Sequence, residues 1–296
     1  MSVFTVTDLS KKYKHKCALD RISFEINQGE IVALIGKNGA GKTTLLNCIA
    51  GNITPNTGSV YYKSSNLLCK DSLLNEFGIL IQASFFDYLN AFDNLVLLME
   101  ASGVRDTAKN KEKVSQTLDL VGLSEKKYAH VKSFSFGMKQ RLGLAQALLH
   151  DPQFMILDEP FVGLDPLGKE ILKEVIIQKA RVEKAGILFS SHDLYDVGEI
   201  CDRIIMLDEG KKIFDDIFLY AKTYNIKLNQ PVNNDIKNSL LDLYRDRIQC
   251  TEDSIKFAET ALLNGILAFL VSKNIIIADV QIKENSLYDY FKKEIV

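Results

Sequence analysis

The stretch Gly36-Lys37-Asn38-Gly39-Ala40-Gly41-Lys42-Thr43 constrains the fold more than any other part of the chain. It satisfies G-x-x-x-x-G-K-[ST], whose glycines let successive backbone N–H groups turn inward around phosphate oxygens. The apolar run Ile31-Val32-Ala33-Leu34-Ile35 ahead of it reads as a buried strand, and residues 44–50 behind it read as a helix closed by Gly51. Strand, loop and helix in that order set a helix N-terminus, with its positive dipole end, beside the cradled phosphate. Lys42 then reaches the β- and γ-phosphates, and the Thr43 hydroxyl ligates Mg²⁺. The plain alternative is a glycine-rich turn with an incidental lysine.

The remaining pattern supplies a frame for such a loop. Residues 3–8 and 22–26 alternate as antiparallel strands do, residues 60–62 follow a turn as another strand, and residues 77–82 form a short apolar strand ending in Gln82. From residue 84 to about 150 the spacing is helical, with Leu95, Leu98 and Met99 on one helix and Val114, Leu118 and Val121 on another. Strands return at 154–157, 187–189 and 203–207, with a helix from about 167 to 182 between them. Strands alternating with helices predict an α/β fold with a mostly parallel sheet covered on both faces. Beyond residue 216 come a helix over 235–250 (Ile236, Leu240, Leu243), a second over 259–272, a strand over 275–282 and a capping box at Ser286-Leu287-Tyr288-Asp289. The expected domains are therefore 1–216, with a helical subdomain at about 85–150, and a small α+β accessory domain at 217–296.

Charge and cysteines narrow the function. The net charge of the 296 residues is −2 with both signs interspersed, so the basic footprint of a nucleic-acid binder is missing and phosphate affinity has to be local. The five cysteines (Cys17, Cys48, Cys69, Cys201, Cys250) stand in no metal-ligand spacing and read as reduced thiols of a cytoplasmic protein. Residues 1–7 show no secretory pattern. The longest apolar stretch, 261–271, is interrupted by Asn264 and Gly265 and is too short to span a bilayer, so the expectation is a soluble protein able to dock on a membrane.

Two further segments carry chemistry. Phe154-Met155-Ile156-Leu157 ends in Asp158, a carboxylate at the C-terminal edge of a buried strand, where it can hold Mg²⁺ through water opposite Thr43. Glu159 follows as a candidate general base for the attacking water; the bland reading is a strand that stops at an acidic turn. Phe134-Ser135-Phe136-Gly137-Met138-Lys139-Gln140-Arg141 precedes a helix running to about residue 149, and the Ser135 hydroxyl, the Gly137 N–H and the helix N-terminus make a second anion site. Ser135 reads equally well as an ordinary helix cap.

With these segments in place the chain resembles the ATP-binding subunits of ABC transporters over about residues 3–214. Residues 36–43 then correspond to that family's Walker A loop, continuing into Thr44, and residues 154–158 to its Walker B strand. Residues 134–138 take the place of the signature usually written LSGGQ, departing from it by Phe for Leu, Phe for the first Gly and Met for Gln while keeping Ser135 and Gly137. The resemblance implies that Gln82 touches Mg²⁺ or the attacking water, that Asp165 in Gly163-Leu164-Asp165 belongs to the D-loop, and that His192 contacts the γ-phosphate. It further implies that Tyr13 stacks on adenine. Read alone, Gln82 is a solvated loop residue, His192 a structural histidine and Tyr13 an ordinary hairpin tyrosine. The implied activity is ATP hydrolysis, with ATP and Mg²⁺ bound between two paired ATPase subunits, as a homodimer or with a different ATPase. A separate transmembrane permease is implied as partner and no nucleic acid is expected, which sets the chain at the cytoplasmic face of the cell membrane. The signature variant and the α+β tail look most like bacterial exporters of the bacitracin or lantibiotic resistance type, with a peptide, antibiotic or other hydrophobic cargo. The rival readings are a soluble ABC-type ATPase acting on nucleic acid or ribosomes, and an ATP-binding regulatory module without turnover.

Overall fold

In the computed structural model, which describes residues 2–14, 16–67, 76–103, 107–217 and 222–284, the N-terminal alternation becomes a long hairpin of β1 (Ser2–Tyr13) and β2 (Lys16–Asn27). The wholly buried run Ile31–Ile35 is β3, and the phosphate loop leads from it into α1 (Lys42–Ile49). Strands β4 (Thr57–Tyr62) and β5 (Ser65–Asn66) return to the hairpin and complete an antiparallel sheet in the order β2-β1-β4-β5.

After β6 (Phe77–Leu80) come α2 (Ala91–Ala101), α3 (Thr107–Leu120) and α4 (Phe136–Leu148), the helical segment that the 3.6-residue spacing predicts. Leu95, Val114, Leu118 and Val121 are fully buried there. The core resumes with β7 (Phe154–Leu157), α5 (Pro166–Arg181), β8 (Gly186–Ser191), α6 (Leu194–Ile200), β9 (Arg203–Asp208) and β10 (Lys211–Ile217). These strands form a six-stranded sheet in the order β10-β9-β3-β8-β7-β6, parallel except for the edge strand β10. The sequence reading does not contain β10. Its Lys-Lys-Ile-Phe-Asp-Asp-Ile run lacks a clean apolar alternation because neither face of this edge strand is buried.

The antiparallel sheet packs on the parallel one through aromatic rings. Phe154, fully buried on β7, stacks on Phe4 of β1 at 4.4 Å and tilts against Phe77 of β6 at 5.3 Å, while Tyr62 of β4 meets Phe77 edge-on at 4.8 Å. Such pairs contribute about 0.5–1.5 kcal/mol each beyond the area they bury.

The chain divides into two compact units, Met1–Phe218 and Leu219–Val296. The second has its own core, in which Ile226, Leu240, Ile255, Ile266 and Leu270 are fully buried. It comprises β11 (Lys222–Leu228), α7 (Asn234–Tyr244), β12 (Ile248–Cys250), β13 (Ser254–Phe257), α8 (Leu263–Ser272) and β14 (Ile277–Glu284), the strands forming an antiparallel sheet in the order β12-β13-β11-β14. Here the boundaries differ from the sequence reading. The helix expected to reach residue 250 stops at Tyr244, where Arg245 turns into the left-handed region (φ 46°) and the alternation of Ile248 and Cys250 takes over as a strand. The helix expected from 259 starts at Leu263, with Glu259 held outside it in an ion pair with Arg247. Cys69 and the capping box at residues 286–289 lie outside the described residues.

Replacing Phe154 with alanine leaves a void where both sheets meet, so Phe154→Ala is expected to cost about 3–5 kcal/mol. Thermal unfolding checks this as a fall of roughly 10 °C in the midpoint of the first unit.

Candidate functional site

The register of the parallel sheet gathers the chemistry at one edge. Ile35 pairs with Ser191, Leu157 with Phe189 and Leu80 with Leu157, so the chain leaves β3, β7, β8 and β6 on the same side. Gly36, Asp158, His192 and Gln82 are the residues that emerge there, at the carboxyl ends where open α/β sheets bind their ligands.

The phosphate loop is boxed in by backbone. A Cβ on Gly36, where φ is 152°, would lie 2.3 Å from the Leu207 carbonyl oxygen, and one on Gly41 would lie 2.6 Å from the Ala18 carbonyl oxygen. Gly210 in the β9–β10 turn donates its N–H to the buried Ala40 at 2.9 Å and accepts from Asp20 N–H at 2.8 Å, tying the loop to both sheets. Above that floor lies an open groove of about 320 Å³ lined by Tyr13, Lys16, Ala18, Lys37, Asn38, Gly39, Gly41, Lys42, Thr43, Thr44 and Glu159. Tyr13 is 43 % exposed on its rim. Lys16 lines the same groove and is absent from the sequence reading; only its place three residues beyond Tyr13 in the hairpin could have pointed to it.

Lys42 is 6 % exposed, so its ammonium needs acceptors in place of water. It donates to the Gly36 carbonyl at 2.7 Å and lies 3.6 Å from Glu159 Oε1. The second Glu159 oxygen accepts from His192 Nδ1 at 2.7 Å. A carboxylate oxygen that accepts here puts a hydrogen on Nδ1 of the exposed imidazole, which selects the tautomer. Lys42, Glu159 and His192 therefore form one polar chain across the sheet edge.

Asp158 and Glu159 are joined by a residue with no role in the sequence reading. Ser190 on β8 donates its hydroxyl hydrogen to Asp158 Oδ1 at 2.6 Å and accepts the Glu159 N–H at 2.8 Å. Glu159 has φ 47°, a left-handed conformation that a non-glycine residue adopts at a cost, and Gln82 on the neighbouring exit has φ 52°. Gln82 is exposed at the bend beyond β6, two residues after the strand ends rather than within it.

The remaining residues stand elsewhere in the unit. Ser135 is the N-cap of α4, accepting from Met138 N–H at 3.2 Å, and Asp165 caps α5 by accepting from Gly168 N–H at 3.1 Å. Gly137 lies against the Gly163 carbonyl, where a Cβ would come within 2.6 Å of the oxygen, and Phe136, 63 % exposed, rests its ring on Gly163. None of Ser135, Gly137 and Asp165 lines the groove of Tyr13 and Lys42.

The two buried cysteines are inert packing residues. Burial pushes the Cys48 thiol behind the phosphate loop up to about 11 and Cys201 up to about 12, aided by the nearby Asp202 carboxylate, so both stay protonated. Among the described residues Cys17, Cys48, Cys201 and Cys250 are free thiols. No described helix is long and apolar enough to cross a membrane.

A family model described as ABC transporter matches residues 19–162. Over 211 residues the chain is 38 % identical to an uncharacterized ABC transporter ATP-binding protein, YxlF, of Bacillus subtilis, covering 71 % of this chain and 69 % of that one. Over 300 residues it is 30 % identical to the bacitracin transport ATP-binding protein BcrA of Bacillus licheniformis, covering 99 % and 97 % of the two chains. Among solved structures, an ATP-binding subunit of an ABC transporter superposes with a TM-score of 0.67 at 28 % identity, over 81 % of this chain and 93 % of that one. An identity sustained from the phosphate loop through the C-terminal unit shows the family: this chain belongs to the ATP-binding, ATP-hydrolysing subunits of ABC transporters.

Proposed function

We propose that the chain powers a separate membrane permease exporting a peptide antibiotic or similar hydrophobic compound, and that it hydrolyses ATP in sites completed by a second ATP-binding subunit. The alignment with the bacitracin transport protein, running through both units, carries the export reading. The location of Ser135 and Gly137 outside the Lys42 groove supports the shared site.

In this reading ATP enters the groove with adenine against Tyr13 and its phosphates in the loop, where the backbone N–H groups of residues 36–43 and the α1 N-terminus meet the negative charge. Lys42 exchanges Glu159 for β- and γ-phosphate oxygens, which frees that carboxylate for water. The oxygen donors at this edge suit Mg²⁺: the Thr43 hydroxyl open to the groove, the Asp158 carboxylate with one oxygen committed to Ser190, and the Gln82 amide oxygen. Held by these groups, such an ion would supply positive charge to offset the negative charge on the phosphates in the transition state.

Glu159 accepts a proton from water as its oxygen attacks the γ-phosphorus. The bond from that phosphorus to the bridging oxygen breaks, ADP leaves with the electron pair, and the proton passes on to the released phosphate. His192, held through Nδ1 by Glu159, presents Nε2 toward the γ-phosphate. Ser135 and Gly137 of a second subunit close over the same phosphate, using the donors at the start of α4. Hydrolysis removes the bridge and the subunits part, with the segment beyond Gln82 passing the motion to the permease.

Glu159→Gln is expected to bind ATP normally while phosphate release falls by about 100-fold or more, the scale of a lost general base; unchanged turnover would remove Glu159 from that role. Ser135→Arg puts a bulky cation where two subunits close, so ATP binding by equilibrium titration persists while ATP-dependent dimerisation and hydrolysis are lost. Gentle solubilisation of membranes is expected to yield the chain together with a polytopic permease, and recovery of the chain alone from the soluble fraction would count against the transporter reading.

A further inference from the structure

The peptide of Glu159 is held from both sides. Its N–H donates to Ser190 on β8 at 2.8 Å, and its carbonyl oxygen accepts from Gln140 Nε2 on α4 at 3.2 Å. The carboxylate of the same residue touches Lys42 at the start of α1 and His192 beyond β8. Four contacts, from three parts of the unit, thus converge on one residue whose φ of 47° is outside the ordinary range for a side chain of its size. A backbone of that kind persists only where its surroundings over-determine it.

Gln140 is the member of this set that comes from α4. That helix is locked to its neighbours by close approaches. A Cβ on Gly143 would lie 2.6 Å from Leu80 Cδ1 on β6, Gly137 lies against the Gly163 carbonyl, and Lys139 pairs with Asp87 at 2.9 Å in the segment beyond Gln82. Ser135 caps its first turn. A shift at the Ser135 end of so tightly seated a helix reaches the Glu159 carbonyl through a single side-chain amide.

We propose that Gln140 is a positioning residue for hydrolysis, holding the left-handed peptide of Glu159 so that its carboxylate faces the attacking water, and tying that aim to the helix that begins at Ser135. This rests on the reading of Glu159 as general base and of Ser135 and Gly137 as the segment that meets the nucleotide of a second subunit. The base of one site is then oriented by the helix that reads the other site.

The test uses the full chain and a double-mutant cycle. Gln140→Leu removes the donor at similar volume, and kcat for ATP is expected to fall about five- to tenfold, the effect of one neutral hydrogen bond. KM, ATP-analogue affinity and thermal midpoint are expected to stay at wild-type values. In the Glu159→Gln background the same substitution should leave the residual rate unchanged, because no base is left to aim. Gln140→Asn, one methylene short of the carbonyl, gives the same reading should Gln140→Leu lose the fold. Wild-type kcat in these Gln140 variants, a loss confined to KM, or an equal loss in the Glu159→Gln background would each overturn the proposal while leaving Glu159 as the base. Full turnover by Glu159→Gln would instead overturn the general-base reading and the inference with it.

Discussion

Lys42 carries a positive charge into a position 6 % exposed, and much of the molecule is arranged around the consequences. A buried ammonium that has lost its water must find acceptors, and those among the described residues are one backbone carbonyl and one carboxylate. Together they leave one of its three N–H donors over, in keeping with the proposed role of meeting phosphate oxygens. The loop that presents Lys42 needs glycine at Gly36 and Gly41, because the Leu207 and Ala18 carbonyls approach too closely for a side chain. The hairpin and the edge of the parallel sheet are thus as much a part of the phosphate site as the loop itself.

Glu159 is the other pole. It offers charge to Lys42, accepts from His192, and is held along its backbone by Ser190 and Gln140. Ser190 illustrates how one hydroxyl can order two acids: its hydrogen goes to Asp158 and its lone pair to the Glu159 N–H. The strand order makes this possible, since β8 lies between β3 and β7 and delivers its last residues into the gap between the phosphate loop and the acidic pair.

Much of this frame was legible in the sequence because the signals are local. An apolar pentamer, a glycine-rich loop and a helix are contiguous, and Asp158-Glu159 follows its strand directly, so the P-loop α/β core and these residues could be read from pattern alone. Gln140 and Ser190 could not: each is an unremarkable polar residue whose partner, Glu159, is far away in sequence and becomes a neighbour only through β8 and α4. The fold was least legible where the chemistry is weakest. Polar, exposed β10 has no alternation to betray it, and Arg245-Asp246-Arg247 looks like a continuing helix surface until Arg245 turns the chain. Strands β11 and β13 do alternate, burying Tyr224, Ile226 and Leu228 on one and Ile255 and Phe257 on the other, but no motif nearby draws the eye to them.

The close fit of backbone around the phosphate loop also sets how this site can drift over evolutionary time. With Gly36 facing Leu207, Gly41 facing Ala18 and Gly210 bonded to Ala40, the floor of the groove is built from main chain and admits almost no side-chain variation. Its rim is different, for Tyr13, Lys16 and Lys37 are exposed side chains free to change without disturbing the sheet. Any alteration in nucleotide preference therefore has to accumulate at the rim, while the triphosphate end stays frozen across whatever cargo the transporter comes to serve.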